Sequence, residues 1–105
     1  RICPMGREGL ILRWTHPALA DLIEAQSFIA RDNPAAAAAV AQRIWDAAAK
    51  LCDNPNIGRP GKFPGTREWV VSNTPYLIVY RLKDDAVEIL RVWHGRRNWQ
   101  THPTG

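Results

Sequence analysis

Residues 67–93 read REWVVSNTPYLIVYRLKDDAVEILRVW, and the organisation of the whole chain turns on them. Three runs rich in branched and aromatic residues, Arg67 to Ser72, Tyr76 to Leu82 and Val87 to Trp93, are separated by Asn-Thr-Pro and Lys-Asp-Asp-Ala. Val, Ile, Tyr and Trp suit a pleated, half-buried surface, whereas Asn, Asp and Pro suit turns. Gaps this short leave no room for a crossover, so the spacing predicts an antiparallel meander.

Upstream, Asp53 to Gly65 contains Pro55, Gly58, Pro60, Gly61, Pro64 and Gly65. That composition neither continues a helix nor builds a central strand, and it predicts a long loop. Loops of this length in compact domains often carry binding groups, which singles out Arg59 and Lys62. Before the loop lie two helical patterns. Leu19, Leu22, Ile23 and Ile29 recur at helical spacing after Thr15 or His16 and then Pro17, a pattern suited to opening a helix, and Val40, Ile44, Ala48 and Leu51 do so after Asn33-Pro34, a fitting N-cap and N1 pair. Asp21 and Glu24 read as charges on a solvated face. Leu10 to Trp14 is short, branched and aromatic and reads as a first strand. The order β-α-α-β-β-β gives an α+β fold: a helical hairpin packed on one face of a small, largely antiparallel four-stranded sheet. The other sheet face is expected to stay partly open and to gather basic residues.

The chain has 105 residues and 46% hydrophobic content, so one domain with a genuine apolar core is expected. No apolar run approaches the ~20 residues of a bilayer span, and residues 1–8 do not read as a secretory signal; a cytoplasmic protein with no membrane contact is expected. Cys3 and Cys52 have no metal-ligand spacing and read as reduced thiols, Cys52 as a small packed hydrophobe. Neither a metal nor a cofactor is expected. The net charge of +4 falls entirely in residues 56–105, where eight Lys and Arg face four Asp and Glu. Six of those eight cations are Arg, which suits bidentate contact with carboxylates or phosphates and points to an anionic partner.

Several stretches resemble the RelE/ParE family of bacterial toxins. They are Ala18 to Ile29, Asn33-Pro34, Asn54-Pro55, Gly58 to Gly61, Gly65 to Glu68, Pro75 to Arg81, and Ile89 to Trp99. Together they span residues 10–99 of a single 1–105 domain. The resemblance implies a toxin of a type II toxin-antitoxin module. A segment of its cognate antitoxin would wrap it, and operator DNA would be met only through the complex. ParE-like members inhibit DNA gyrase without being enzymes; RelE-like members cut messenger RNA on the ribosome. A degenerate member would bind its antitoxin without being toxic.

For metal-free RNA cleavage the chain offers Glu68, Arg81, His94 and Arg97, since such chemistry needs acid-base groups and cations at the phosphate. Two departures weigh against it. Leu77 stands where RelE-like nucleases usually carry a cation, and Trp99 lies near the place of a C-terminal Tyr. The run Pro75 to Arg81 looks more like ParE relatives, so gyrase inhibition is the expected function. His94 can also be read as a structural residue of its turn. Arg59, Lys62, Arg67, Arg81, Arg96 and Arg97 are candidates for target or antitoxin contact, with ion pairs to Glu68 or Glu88 the alternative for Arg67 and Arg81. Trp93 and Trp99 bracket the Arg96-Arg97 pair as packing anchors or a docking surface, whereas Trp14, Trp45 and Trp69 read as core.

Overall fold

The computed structural model describes residues 11–95. The elements are β1 (Ile11–Trp14), α1 (His16–Ala30), α2 (Pro34–Asp53), β2 (Arg59–Pro60), β3 (Arg67–Val70), β4 (Tyr76–Lys83) and β5 (Ala86–His94). They form one sheet in the order β1-β5-β4-β3-β2. All neighbours are antiparallel except β1 and β5, which run parallel through the register Ile11 with Ala86 to Trp14 with Ile89. The helical hairpin between them is the long crossover that a parallel pair requires.

Each helix begins where its sequence signals place it. Thr15 caps α1, accepting from the Ala18 amide at 3.4 Å, and its hydroxyl donates to the Ile89 carbonyl at 2.7 Å, so one side chain ties the helix start to the sheet. Asn33 caps α2 through the Ala36 amide at 3.0 Å, with Pro34 following it. Such caps contribute about 1 kcal/mol each. The turns use residues that tolerate a left-handed backbone: Asn73 has φ 62° between β3 and β4, and Asp84 has φ 56° in the two-residue hairpin joining β4 to β5.

The core lies between the hairpin and the sheet. Leu22, Ile44, Leu51, Ile78, Tyr80, Val87, Ile89 and Val92 are buried there, with Trp14, Trp45 and Trp69 packed around its margin. The Trp14 and Trp45 rings are 4.5 Å apart, a close tilted contact between the first strand and the second helix.

Four expectations need correction. The loop over 53–65 contains a two-residue edge strand, β2, so the sheet has five strands. Pro60 is tolerated there because an edge position asks no hydrogen from it. Ile23 is 62% exposed and does not belong to the buried stripe of α1, whose inner positions are Ala18, Leu22 and Ala25. Ala18 and Ala25 share the buried cluster with Ala41 and Ala48 of α2, small side chains that allow two helices to pack closely. Asp21 is engaged with the sheet, as described below. Cys52 is fully buried as expected, but it is disulfide-bonded and not a reduced thiol. Whether a thiol finds a partner depends on tertiary proximity, which spacing along the chain does not encode. Cys3 lies outside the described residues. Among the described residues, no helix is long and apolar enough to cross a membrane.

Candidate functional site

Strand alternation sends neighbouring side chains to opposite faces of the sheet. On β4, Tyr76, Ile78 and Tyr80 face the helices, while Leu77 and Val79 face away and pack with Trp93 and Leu90. The register shifts by one residue between Val79 and Tyr80, where Val79 pairs with Arg91 and Tyr80 with Ile89, so Leu90 is the extra residue of a β-bulge.

The face away from the helices carries Arg13 and the candidate cations Arg59 and Arg81, each paired with a carboxylate. Arg13, Glu88 and Arg81 sit in register across β1, β5 and β4. Glu88 accepts from Arg81 Nε at 2.6 Å and from Arg13 Nη1 at 3.0 Å. The hydrogen bond from Arg81, helped by that from Arg13, holds the Glu88 carboxyl below its ordinary range despite burial. Two strands away, Glu68 accepts from Arg59 Nη2 at 3.3 Å and from the Lys62 amide at 3.4 Å. An open groove of about 310 Å³ lies here, lined by Arg59, Lys62, Glu68, Leu77 and Gly95 among others. Phe63, from the loop beside it, meets the Trp93 ring edge-on at 6.4 Å. The groove is the strongest candidate for contact with a target or antitoxin, because it joins cations, a carboxylate and an apolar floor at one place.

Arg67 is not on this face. It pairs with Tyr80, which faces the helices, and its Nη1 donates to the Gly58 carbonyl at 2.7 Å and to the Asn56 carbonyl at 3.3 Å. Tyr80 completes the same clamp: its hydroxyl donates to the Pro55 carbonyl at 2.7 Å and accepts from the Gly58 amide at 3.0 Å. Gly58 is required by closeness alone, since a Cβ there would stand 2.5 Å from the Tyr80 hydroxyl. Burial pushes the Tyr80 hydroxyl above its ordinary range. These two residues fix the start of the 53–65 segment, and hence the position of Arg59.

His94 lies opposite Tyr76, with the rings 5.2 Å apart and edge-on. Directly paired residues share a face, so His94 is on the helix side while Glu68 and Arg81 are on the other. Of the described members of the candidate set, Glu68 and Arg81 therefore share one face and His94 lies on the other. Arg96, Arg97 and Trp99 lie outside the described residues. Among the described residues, no group of three or more His, Cys, Asp or Glu side chains is placed to hold a metal ion.

Asp21 is the residue that sequence reasoning missed. Its Oδ2 accepts from Arg91 Nε at 2.7 Å and from the Val92 amide at 3.1 Å, and its Oδ1 accepts from Arg91 Nη2 at 3.0 Å. β1 pairs only with the first half of β5, so Asp21 satisfies an amide on the uncovered edge beyond Trp14. No signal in the sequence separates it from Glu24, the other acid of the helix.

The comparisons with known proteins agree with this architecture. The family model for the ParE toxin of the type II toxin-antitoxin system parDE matches residues 12–99. The protein Y4kP of Sinorhizobium fredii is 46% identical over 88 residues, covering 84% of this chain and 91% of that one. Toxin RelE2 of Caulobacter vibrioides is 37% identical over 84 residues, covering 80% of this chain and 93% of that one. Among solved structures, a chain of the chromosomal ParDE system from P. aeruginosa superposes with a TM-score of 0.77 at 27% identity, covering 84% of this chain and 98% of that one. A chain of the RelBE2 toxin-antitoxin complex from Mycobacterium tuberculosis gives 0.54 at 29%, covering 81% and 90%. The chain belongs to the ParE toxin family and is the toxin of a type II toxin-antitoxin module.

Proposed function

We propose that this ParE-family toxin acts in the cytoplasm as a protein inhibitor of DNA gyrase, not as a nuclease, and that its antitoxin silences it by covering the groove at Arg59, Lys62 and Glu68. The observation that carries this reading is the split of the would-be catalytic groups: His94 is on the helix face of the sheet, and Glu68 and Arg81 are on the other. General acid-base chemistry at one phosphate needs its groups within reach of the same atoms. The carboxylates are moreover committed to Arg13, Arg59 and Arg81. Leu77, on the groove floor, brings no charge to a phosphate. The ParDE and RelBE2 neighbours are toxin-antitoxin systems, which supports an antitoxin partner for this chain.

The likeness to toxin RelE2 favours a second reading, ribosome-dependent cleavage of messenger RNA. Purified toxin freed of antitoxin separates the two. Inhibition of gyrase supercoiling with intact ribosome-bound mRNA is the expected result. Unchanged supercoiling beside mRNA cleavage would overturn it, and harmless overexpression without antitoxin would point to a degenerate, antitoxin-binding member.

A further inference from the structure

β1 covers β5 only from Ala86 to Ile89, so residues 90–94 have β4 on one side and, among the described residues, no strand on the other. A bare strand edge offers its amides and carbonyls to any extended backbone that approaches it. Three features of different origin meet on this stretch. Leu90 is the bulged residue, which bends the strand and raises its twist. Thr15, the cap of α1, donates its hydroxyl to the Ile89 carbonyl at 2.7 Å and stands 3.3 Å from the Leu90 carbonyl. Asp21, further along the same helix, accepts from the Val92 amide at 3.1 Å and grips Arg91 at 2.7 and 3.0 Å. The helix therefore meets the edge first with a donor and then with an acceptor. Packing of α1 asks for no acid at this position, since its buried residues are Ala18, Leu22 and Ala25. The far edge of the sheet is blunted by other means: β2 has two residues, and one of them is Pro60.

We propose that the uncovered half of β5 is a strand-pairing surface that fits a second copy of this chain, and that Asp21 with Arg91 keeps it closed. A strand edge run antiparallel about a twofold axis is complementary to itself, so a second copy brings the matching groups without any further design. The ion pair opposes that contact in two ways. An Asp21 oxygen occupies the place at the Val92 amide that an incoming carbonyl would take. Arg91 adds a charge that pairing about a twofold axis would bring near its own copy, and like charges across paired strands repel. The bulge at Leu90 adds a twist that a flat partner strand must follow. The inference does not rest on the gyrase reading, since no residue of the groove at Arg59 and Glu68 takes part.

Sedimentation of the full-length toxin freed of antitoxin, combined with amide exchange at Val92 in dilute and in concentrated solution, tests this. The wild type should be monomeric, with Val92 equally protected at both concentrations. In Asp21→Ala the Val92 amide should exchange about tenfold faster when dilute, because its acceptor is gone. On concentration the same variant should form dimers and regain protection at Val92, where a neighbour's carbonyl replaces the lost carboxylate. The double variant Asp21→Ala, Arg91→Ala should dimerise at about tenfold lower concentration, since two guanidinium groups no longer oppose each other. Asp21→Asn keeps an acceptor at the amide and should stay monomeric. Alanine favours a helix, and a thermal melt of each variant establishes that it is folded. Wild-type dimers that pair through Val92, folded alanine variants that stay monomeric when concentrated, or association without renewed protection at Val92 would each overturn the proposal.

Discussion

Glu88 bridges Arg81 and Arg13, at 2.6 Å and 3.0 Å, and so joins three adjacent strands through one carboxylate. The carboxylate is 8% exposed while the guanidinium partners are 41% and 58% exposed, so solvent screens much of the attraction. Glu88→Gln is therefore expected to lower stability at neutral pH by only about 1 kcal/mol. The pH dependence is more informative. The folded state holds this carboxyl below its ordinary 4.5, so its contribution is complete above that value and is lost as the pH falls through the lower folded value. Urea unfolding between pH 7 and 3 should show the gap between wild type and variant constant at first and closing in acid.

The Tyr80 clamp makes a second prediction. Tyr80→Phe leaves the Gly58 amide and the Pro55 carbonyl without their buried partner, a loss of about 1 to 3 kcal/mol. Because burial raises the hydroxyl above 10, folding favours the neutral form, and the clamp's contribution is full below 10 and declines as the pH rises towards the folded value. Alkaline unfolding curves should therefore converge for wild type and Tyr80→Phe. Arg59 is placed by the same clamp, so the variant should also weaken antitoxin binding by more than its stability loss explains.

Asp21→Ala removes both oxygens from Arg91 and the acceptor from the Val92 amide. Arg91 is 38% exposed and regains water, so the expected cost is about 1 to 2 kcal/mol, most of it from the orphaned edge amide. Hydrogen exchange should accelerate at Val92 well before it does at Val87, which lies in the part of β5 that β1 covers.

His94→Ala separates the functional readings. Its edge-on contact with Tyr76 is worth about 0.5 to 1.5 kcal/mol, and a thermal melt of the variant establishes that it is folded. Growth arrest and gyrase inhibition should persist in this variant. Loss of arrest with an unchanged melting temperature would instead give the imidazole a direct chemical role.

Branched and aromatic runs with short gaps in 67–93 determined the meander, because gaps of a few residues leave room for a hairpin turn and not for a crossover. Caps and prolines determined the helical hairpin, because Thr15, Asn33 and Pro34 act on backbone groups within four residues of themselves. Local signals of this kind can be read along the chain. Pairings between distant elements cannot. Nothing in the sequence distinguishes Asp21, which closes the β5 edge seventy residues away, from Glu24. Nor does it show that Arg67 turns to the Asn56 and Gly58 carbonyls while Glu68 meets Arg59. The basic half of the chain was visible as a sum of charges. Tertiary structure alone decided which of those charges are neutralised from within, because a carboxylate becomes a partner only when strand register brings it within hydrogen-bonding distance.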